Sequence, residues 1–343
     1  MYMGTLFRQA LPGLVGETYK SIMAKLSIGG QAVIEGVMMR GPKDVAVAVR
    51  KADGTIDVDV KPVNSISDRY PILKKPLLRG VVALVESLVM GMKALSYSAQ
   101  VSGEEDEQMD DKEMALTMVV SVALAVGLFI AIPTWSMRYL QQWTQSSLTL
   151  NLAEGFLRMG IFLVYIAAIS SMEDIQRVFK YHGAEHKTIF TYEAGMPLTV
   201  ENVRTFPRLH PRCGTNFLMI VMLISIFIFA FLGWPNLAER ILSRIVLMPV
   251  VAGISYELIR FAGKNNDKPW VHRMILPGLL LQKLTTREPD DEMIEVAIAS
   301  VKAVLPEEEL QKVEMQVPDA IALQAPAMAE TVSVPVSCEE KTC

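Results

Sequence analysis

Met114-Ala115-Leu116-Thr117-Met118-Val119-Val120-Ser121-Val122-Ala123-Leu124-Ala125-Val126-Gly127-Leu128-Phe129-Ile130-Ala131-Ile132 carries no charge over 19 residues. At 1.5 Å per residue a helix of that length crosses a hydrocarbon layer of about 30 Å. Composition agrees: 51% of the 343 residues are apolar, and mean hydropathy is +0.30, above that of an ordinary soluble domain. Thr215 to Trp234 is a second uncharged run. Weaker runs lie at 155–172, with Arg158, and at 241–259, with Arg244; these arginines are expected to snorkel outward. Four spans are expected: 114–132, 155–172, 215–234 and 241–259.

Basic residues orient them. Between the first two spans stands only Arg138, whereas the 173–214 loop holds Arg177, Lys180, Lys187, Arg204, Arg208 and Arg212. Arg69, Lys74, Lys75, Arg79 and Lys93 precede the first span, and Arg260, Lys264 and Lys268 follow the fourth. The positive-inside rule puts both termini and the 173–214 loop in the cytoplasm. A net charge of −4 gives no reason to expect a nucleic-acid partner. Three cysteines, Cys213, Cys338 and Cys343, imply no disulfide framework.

The expected fold class is therefore mainly α: a polytopic membrane protein of about four transmembrane helices with a small cytoplasmic α+β region. That region covers 27–103, after an N-terminal extension over 1–26. Ala46 to Val60 alternates around Asp53-Gly54, as a β-hairpin does. The glycine-punctuated run 29–42 reads as a strand or loop closely approached by another group. Residues 77–99 read as a helix whose small residues, Gly80, Ala83, Ser87, Gly91, Ala94 and Ser98, permit tight packing, at the interface or against the bundle. An acidic linker (104–113) leads into the membrane domain (114–285). Its last segment, Trp270 to Leu284, is broken by Pro277-Gly278 and reads as re-entrant or superficial. An amphipathic helix follows within 286–305, then a disordered tail over 306–343.

The chemistry concentrates in His182-Gly183-Ala184-Glu185-His186 and His210-Pro211-Arg212-Cys213, which hold three of the four histidines. Histidines four apart share a helix face, and H-x-x-E-H is the inverted zinc-protease order: two metal ligands and a carboxylate that activates water. The third ligand is open among Glu193, Glu201, His210 and Cys213. If His182, His186, His210 and Cys213 all bind, the site is closed and structural; with three protein ligands it is open for catalysis. Glu35 is either a further carboxylate for the site or a partner of Arg40, and Glu257 with Arg260 reads as a local ion pair. The same residues also occur on solvated helix faces.

Gly30 to Pro42, His182 to Thr188 and His210 to Thr215 together resemble the YqhQ-like family of bacterial multi-pass membrane proteins, over residues 27 to 300. The resemblance implies the bacterial inner membrane, convergence of the three strings, and a domain of unknown function labelled a predicted metal-dependent enzyme. Asn216 departs from a serine in the family pattern. Two functional readings follow. The first is a membrane-anchored metal-dependent hydrolase at the cytoplasmic surface. Its expected metal is a divalent transition ion, most simply zinc, on His182, His186, and His210 or Cys213, with Glu185 as general base. The second is a non-enzymatic assembly or scaffold factor with a structural metal, if any, docking a membrane-protein partner through helix 292–305, the small-residue stripe of helix 77–99 and the acidic tail. Transport is disfavoured, because the first and third expected spans carry no ionisable side chain and those of the second and fourth are expected near the span ends.

Overall fold

A computed structural model describes residues 28–103, 111–264 and 268–315. The N-terminal extension, residues 104–110 of the acidic linker and the tail beyond 315 lie outside the described residues.

The N-terminal region is a four-stranded antiparallel meander: β1 (Gly29–Val33), β2 (Gly36–Arg40), β3 (Asp44–Arg50) and β4 (Ile56–Pro62). The expected hairpin is β3–β4, in the register Val49↔Asp57 and Arg50↔Ile56. Its turn works through Gly54 at φ +86°, with Asp53 Oδ1 accepting from the Thr55 N–H at 2.9 Å. The glycine-rich run becomes a second hairpin, β1–β2, turning at Ile34-Glu35 with Glu35 at φ +49°.

β2 and β3 are apolar on both faces because both faces are covered. Val37, Met39, Ala46 and Ala48 join Met293, Ile294, Ala297 and Val301, while Met38, Val45, Val47 and Val49 pack on Ala94, with Met90 and Tyr97 beside them. The first cover is α10 (Asp291–Val304), and the second is α1 (Leu78–Ser102). β4 runs along the edge with Val58 and Val60 exposed and Asp57 bonded to Tyr97 and Lys51. The region 286–305 is therefore not a separate surface helix: its apolar stripe closes the core of the N-terminal sheet.

α2 (Asp111–Val126) continues through a π-helical stretch (Gly127–Ala131) into α3 (Ile132–Leu140). Then come α4 (Ser147–Ile169), α5 (Glu173–Glu193), the short α6 (Val200–Arg204), α7 (Gly214–Ala230), α8 (Leu237–Lys264), α9 (Pro269–Thr285) and α11 (Glu307–Met315). Among the described residues three helices, Ala115–Leu140, Ser147–Ile169 and Leu237–Ala262, are long and apolar enough to cross a membrane; Gly214–Ala230 is apolar but shorter. No residue in the most apolar window of Ala115–Leu140 is fully buried, although Phe129 packs on Phe162 and Tyr165.

Several details differ from the sequence reading. The second apolar helix begins at Ser147 rather than 155, because Asn151 and Glu154 sit inside it, fully buried. Arg158 is thus its middle residue and does not snorkel. It pairs with Glu154 at 2.8 Å and donates through Nε to the Phe129 carbonyl at 2.8 Å, within the widened π-helical turn. Arg244 also turns inward to Glu154, at 2.8 Å. Glu257 bonds Arg79 of α1, at 2.6 Å from its Nε, instead of forming a pair with Arg260 alone.

α1 lies against α8 through its small residues: a Cβ at Gly80 would stand 2.7 Å from Tyr256 Cβ. α9 is one continuous helix despite Pro277, packed so closely on α7 that a Cβ at Gly278 would overlap Asn216. The tail is helical over 307–315, with Glu307, Glu308 and Glu309 at the positive end of its dipole.

The backbone of β3 passes so close to β2 that a Cβ at Gly36 would overlap the Ala48 carbonyl oxygen, whereas Gly29 faces open space. Gly36→Ala is expected to cost about 1–3 kcal/mol through overpacking. Gly29→Ala should leave the thermal midpoint of the detergent-purified chain unchanged, and equal effects would contradict this packing.

Candidate metal centre

Helix α5 carries the first histidine motif, and its faces divide the labour. Tyr181, Ala184 and Ile189 enter the core beneath the sheet, while His182 and His186 meet edge to face with ring centroids 4.4 Å apart. The apolar helix and α5 do not run on as one. Ser170, Ser171 and Met172 separate them, and Glu173 and Asp174 start the new helix. α5 ends at Glu193, followed by Gly195 at φ +71°.

Cys213 arrives from the opposite side as the N-cap of α7. Its Sγ accepts from the Thr215 N–H at 3.4 Å and from the Thr215 hydroxyl at 3.2 Å. Burial opposes ionisation of the thiol, but the His186 ring in its protonated form and the two Thr215 donors outweigh it and lower its pKa.

His182 Nε2 lies 3.2 Å from Cys213 Sγ, and one nitrogen from each histidine and the sulfur all lie within 4.8 Å of one another. Ligand atoms around a tetrahedral zinc stand roughly 3.3–3.8 Å apart by its bond lengths. The three groups could thus close on one cation with small side-chain movements.

The two imidazoles are fixed from behind. His182 Nδ1 faces the Thr285 carbonyl at 2.8 Å and His186 Nδ1 faces the Arg208 carbonyl at 2.5 Å. A ring nitrogen bonded to a carbonyl must carry the proton, so each Nε2 is left with a lone pair toward the common space. His186 Nε2 is buried without a hydrogen-bond partner, and burial lowers the pKa of that ring.

Glu185 is 4% exposed. Burial pushes its carboxyl up to about 8 against the pull of His182, and the Gly30 N–H is a backbone partner. The β1 glycine fits a crowded spot: a Cβ at Gly30 would stand 2.6 Å from the Met38 carbonyl oxygen, 2.8 Å from the Met39 sulfur and 3.0 Å from Glu185 Oε1. The other oxygen, Oε2, is buried with no partner.

The structure brings His182, His186 and Cys213 together and leaves His210 outside the group. His210 Nδ1 accepts the Arg212 N–H at 3.2 Å, and Nε2 points to Glu193, 3.5 Å away. Burial drives its pKa down to about 3, so the ring is neutral and serves the loop. Glu193 pairs with Arg212, and Glu201 is exposed on α6. Glu35 does not reach the cluster either. It binds Arg177 (2.6 Å, Nη2) and takes the Tyr181 hydroxyl at 3.3 Å, while Arg40 pairs with Glu86.

Two supporting residues escaped the sequence reading. Gln282, wholly buried in α9, bonds both the N–H and the carbonyl of His210, each at 2.8 Å. Asn216 donates to the Pro211 carbonyl at 2.5 Å. A lone glutamine in the apolar run 274–284 was the available signal.

Residues 75–307 match the family described as "Protein of unknown function (DUF1385)". The chain belongs to that family. It is 37% identical over 296 residues to "Uncharacterized protein YqhQ" of Bacillus subtilis (strain 168), an alignment covering 81% of this chain and 92% of the relative. No solved structure matches. The family region contains the two histidine strings, Cys213 and Gln282, whereas the sheet with Gly30 lies ahead of it.

A Cβ at Gly183 would overlap the Arg287 carbonyl oxygen, on the same segment whose Thr285 carbonyl orients His182. If His182 is a zinc ligand, Gly183→Ala should weaken Zn²⁺ binding about 10–100-fold in chelator competition, the scale for losing an outer partner of such a histidine. Thr285→Val, which keeps that carbonyl, should bind as the native chain does. Equal losses in both would remove the carbonyl from the account.

Proposed function

We propose that this protein is a membrane-embedded, metal-dependent hydrolase acting at the cytoplasmic surface of the bacterial inner membrane, with a divalent transition metal, most simply zinc. His182, His186 and Cys213 would hold the ion, a donor set of two neutral imidazoles and one thiolate suited to it. The observation that carries this reading is the pair of Nε2 lone pairs and the Cys213 sulfur facing one space, with both Nδ1 atoms already held by backbone carbonyls. Three protein ligands leave a fourth position open, the pattern of catalytic rather than structural sites.

When bound, the metal would supply a Lewis acid and lower the pKa of water at that open position. Glu185, one residue before His186, accepts and returns the proton through its unpartnered Oε2. Its pKa near 8 in the metal-free protein keeps it within reach of neutral pH, and a neighbouring cation favours its ionised form. Apolar packing around α5 excludes bulk water, and Gly30 holds the other carboxylate oxygen still.

Membrane placement follows the sequence reading: four spans, with Gly214–Ala230 as the shortest, and both termini and the site on the cytoplasmic side. Seventeen residues span only about 25 Å as a helix, a mismatch that local thinning of the bilayer accommodates. In the scaffold alternative α10 is already engaged by the sheet and the small residues of α1 by α8 and Gln31, while Val85, Leu88, Val89, Met92 and Leu95 of α1 stay exposed to a partner.

Detergent-purified full chain is expected to contain about one transition-metal ion per copy by elemental analysis, lost in His182→Ala and Cys213→Ser. His210→Ala should keep its metal if the chain folds. Glu185→Gln should keep the metal and lose hydrolysis of a reporter ester or peptide panel. A native chain without stoichiometric metal would sink the reading. Topology is checked separately: a cysteine at Gln145 should react with an impermeant maleimide on intact cells, and one at Glu201 should not.

A further inference from the structure

At the end of the helical bundle away from the histidine–cysteine group, the buried charges do not balance. Glu154, with a side chain 1% exposed, is the acceptor at the centre. Its Oε1 takes the Thr134 hydroxyl at 3.0 Å and Arg158 Nη2 at 2.8 Å; its Oε2 takes Arg244 Nη2 at 2.8 Å. Arg244 Nη2 also reaches Asn151 Oδ1 at 3.1 Å, and Asn151 Nδ2 ties the chain after α7 to α4 through the Leu232 carbonyl at 2.7 Å. Arg240, one turn before Arg244 on α8, lies 4.0 Å above the Trp234 ring and within 3.5 Å of the Thr134 carbonyl.

Three guanidinium groups thus surround one carboxylate, an excess of two positive charges. The hydrogen bonds are lopsided in the same sense. Arg240 Nε, Arg244 Nε, Arg244 Nη1 and Trp234 Nε1 are buried donors without a partner among the described residues. The side chains of Arg240 and Arg244 are more than nine-tenths buried. Buried donors are nearly always satisfied, and buried charge is paired. A network serving structure alone would match its one carboxylate with one guanidinium. A cation or proton would worsen the imbalance, and a neutral ligand would not relieve it. An oxyanion supplies both negative charge and several acceptor oxygens, and guanidinium forks match phosphate geometry.

We propose that Arg158, Arg240 and Arg244, with Trp234 Nε1, bind a phosphate-type oxyanion at this end of the bundle. The anion comes either from a lipid headgroup or from free phosphate. Arg240 and Trp234 are the specific contacts; Arg158 and Arg244 divide their charge between the ligand and Glu154.

The test uses the full chain, delipidated in a neutral detergent, with thermal midpoint and bound phosphorus as readouts. One arm titrates inorganic phosphate at constant ionic strength against chloride; the other adds phosphatidylglycerol, with retention followed by native mass spectrometry. A rise in midpoint is expected in at least one arm: with phosphate alone the ligand is the free ion, with the lipid alone it is the headgroup. Arg240→Gln, which gives up only the Thr134 carbonyl and Trp234 contacts, should fold and lose affinity by about tenfold or more, the worth of a charge-assisted hydrogen bond. Trp234→Phe keeps the stacking and should weaken binding less. No response in either arm, or an undiminished response in a folded Arg240→Gln, overturns the proposal.

Discussion

The chain at 285–291 lies flat along helix α5, and this contact positions the candidate site. It is permitted by the missing side chain at Gly183 and held at several points. The Arg287 N–H donates to the Phe179 carbonyl at 2.9 Å, Arg208 donates to the Thr286 carbonyl at 2.5 Å, and Lys187 and Lys180 reach Glu288 and Asp290 at 2.7 and 2.8 Å. Individually, exposed ion pairs are worth at most about 1 kcal/mol. Here they flank a backbone-to-backbone bond and a segment anchored at each end, by buried α9 before it and by α10 on the sheet after it. The Thr285 carbonyl consequently stays at His182 Nδ1, and the choice of tautomer is made by the fold.

The two ends of the helical bundle pose opposite chemical problems. Around α5 the buried atoms without a hydrogen bond include two acceptors, His186 Nε2 and Glu185 Oε2, beside a thiol whose pKa is lowered. Around Glu154 they are donors, on Arg240, Arg244 and Trp234. A low-dielectric interior makes either kind costly when left alone. The first group is complementary to a cation and the second to an anion, which is why we assign them different occupants.

Most elements were legible from the sequence because each rests on a local signal. Asp53-Gly54 gave the hairpin turn, and the uncharged run from Met114 gave a long apolar helix. The errors arose where a polar residue has its partner far along the chain. Glu154 breaks an apolar run when read locally, so the second helix was begun too late; in space, Arg244, ninety positions on, neutralises it. Pro277-Gly278 looked like a break, yet α9 continues because Gly278 admits Asn216. For the site, the H-x-x-E-H spacing placed two histidines and a carboxylate on one face, but could not choose among His210, Cys213, Glu193 and Glu201.

The sequence by itself determined that this chain is mainly helical with a small β-region, that its apolar helices can be membrane-length, and that three of its four histidines and Cys213 lie within 182–213. Those properties follow from hydropathy, turn chemistry and helical periodicity, which are short-range. Tertiary structure alone decided that Cys213 and not His210 faces the histidine pair, that Glu35 is tied up by Arg177, and that Arg158 and Arg244 meet inside the bundle. Each depends on which nitrogen or oxygen is already claimed by a backbone group or charge brought close by packing, and spacing along a chain does not encode that competition.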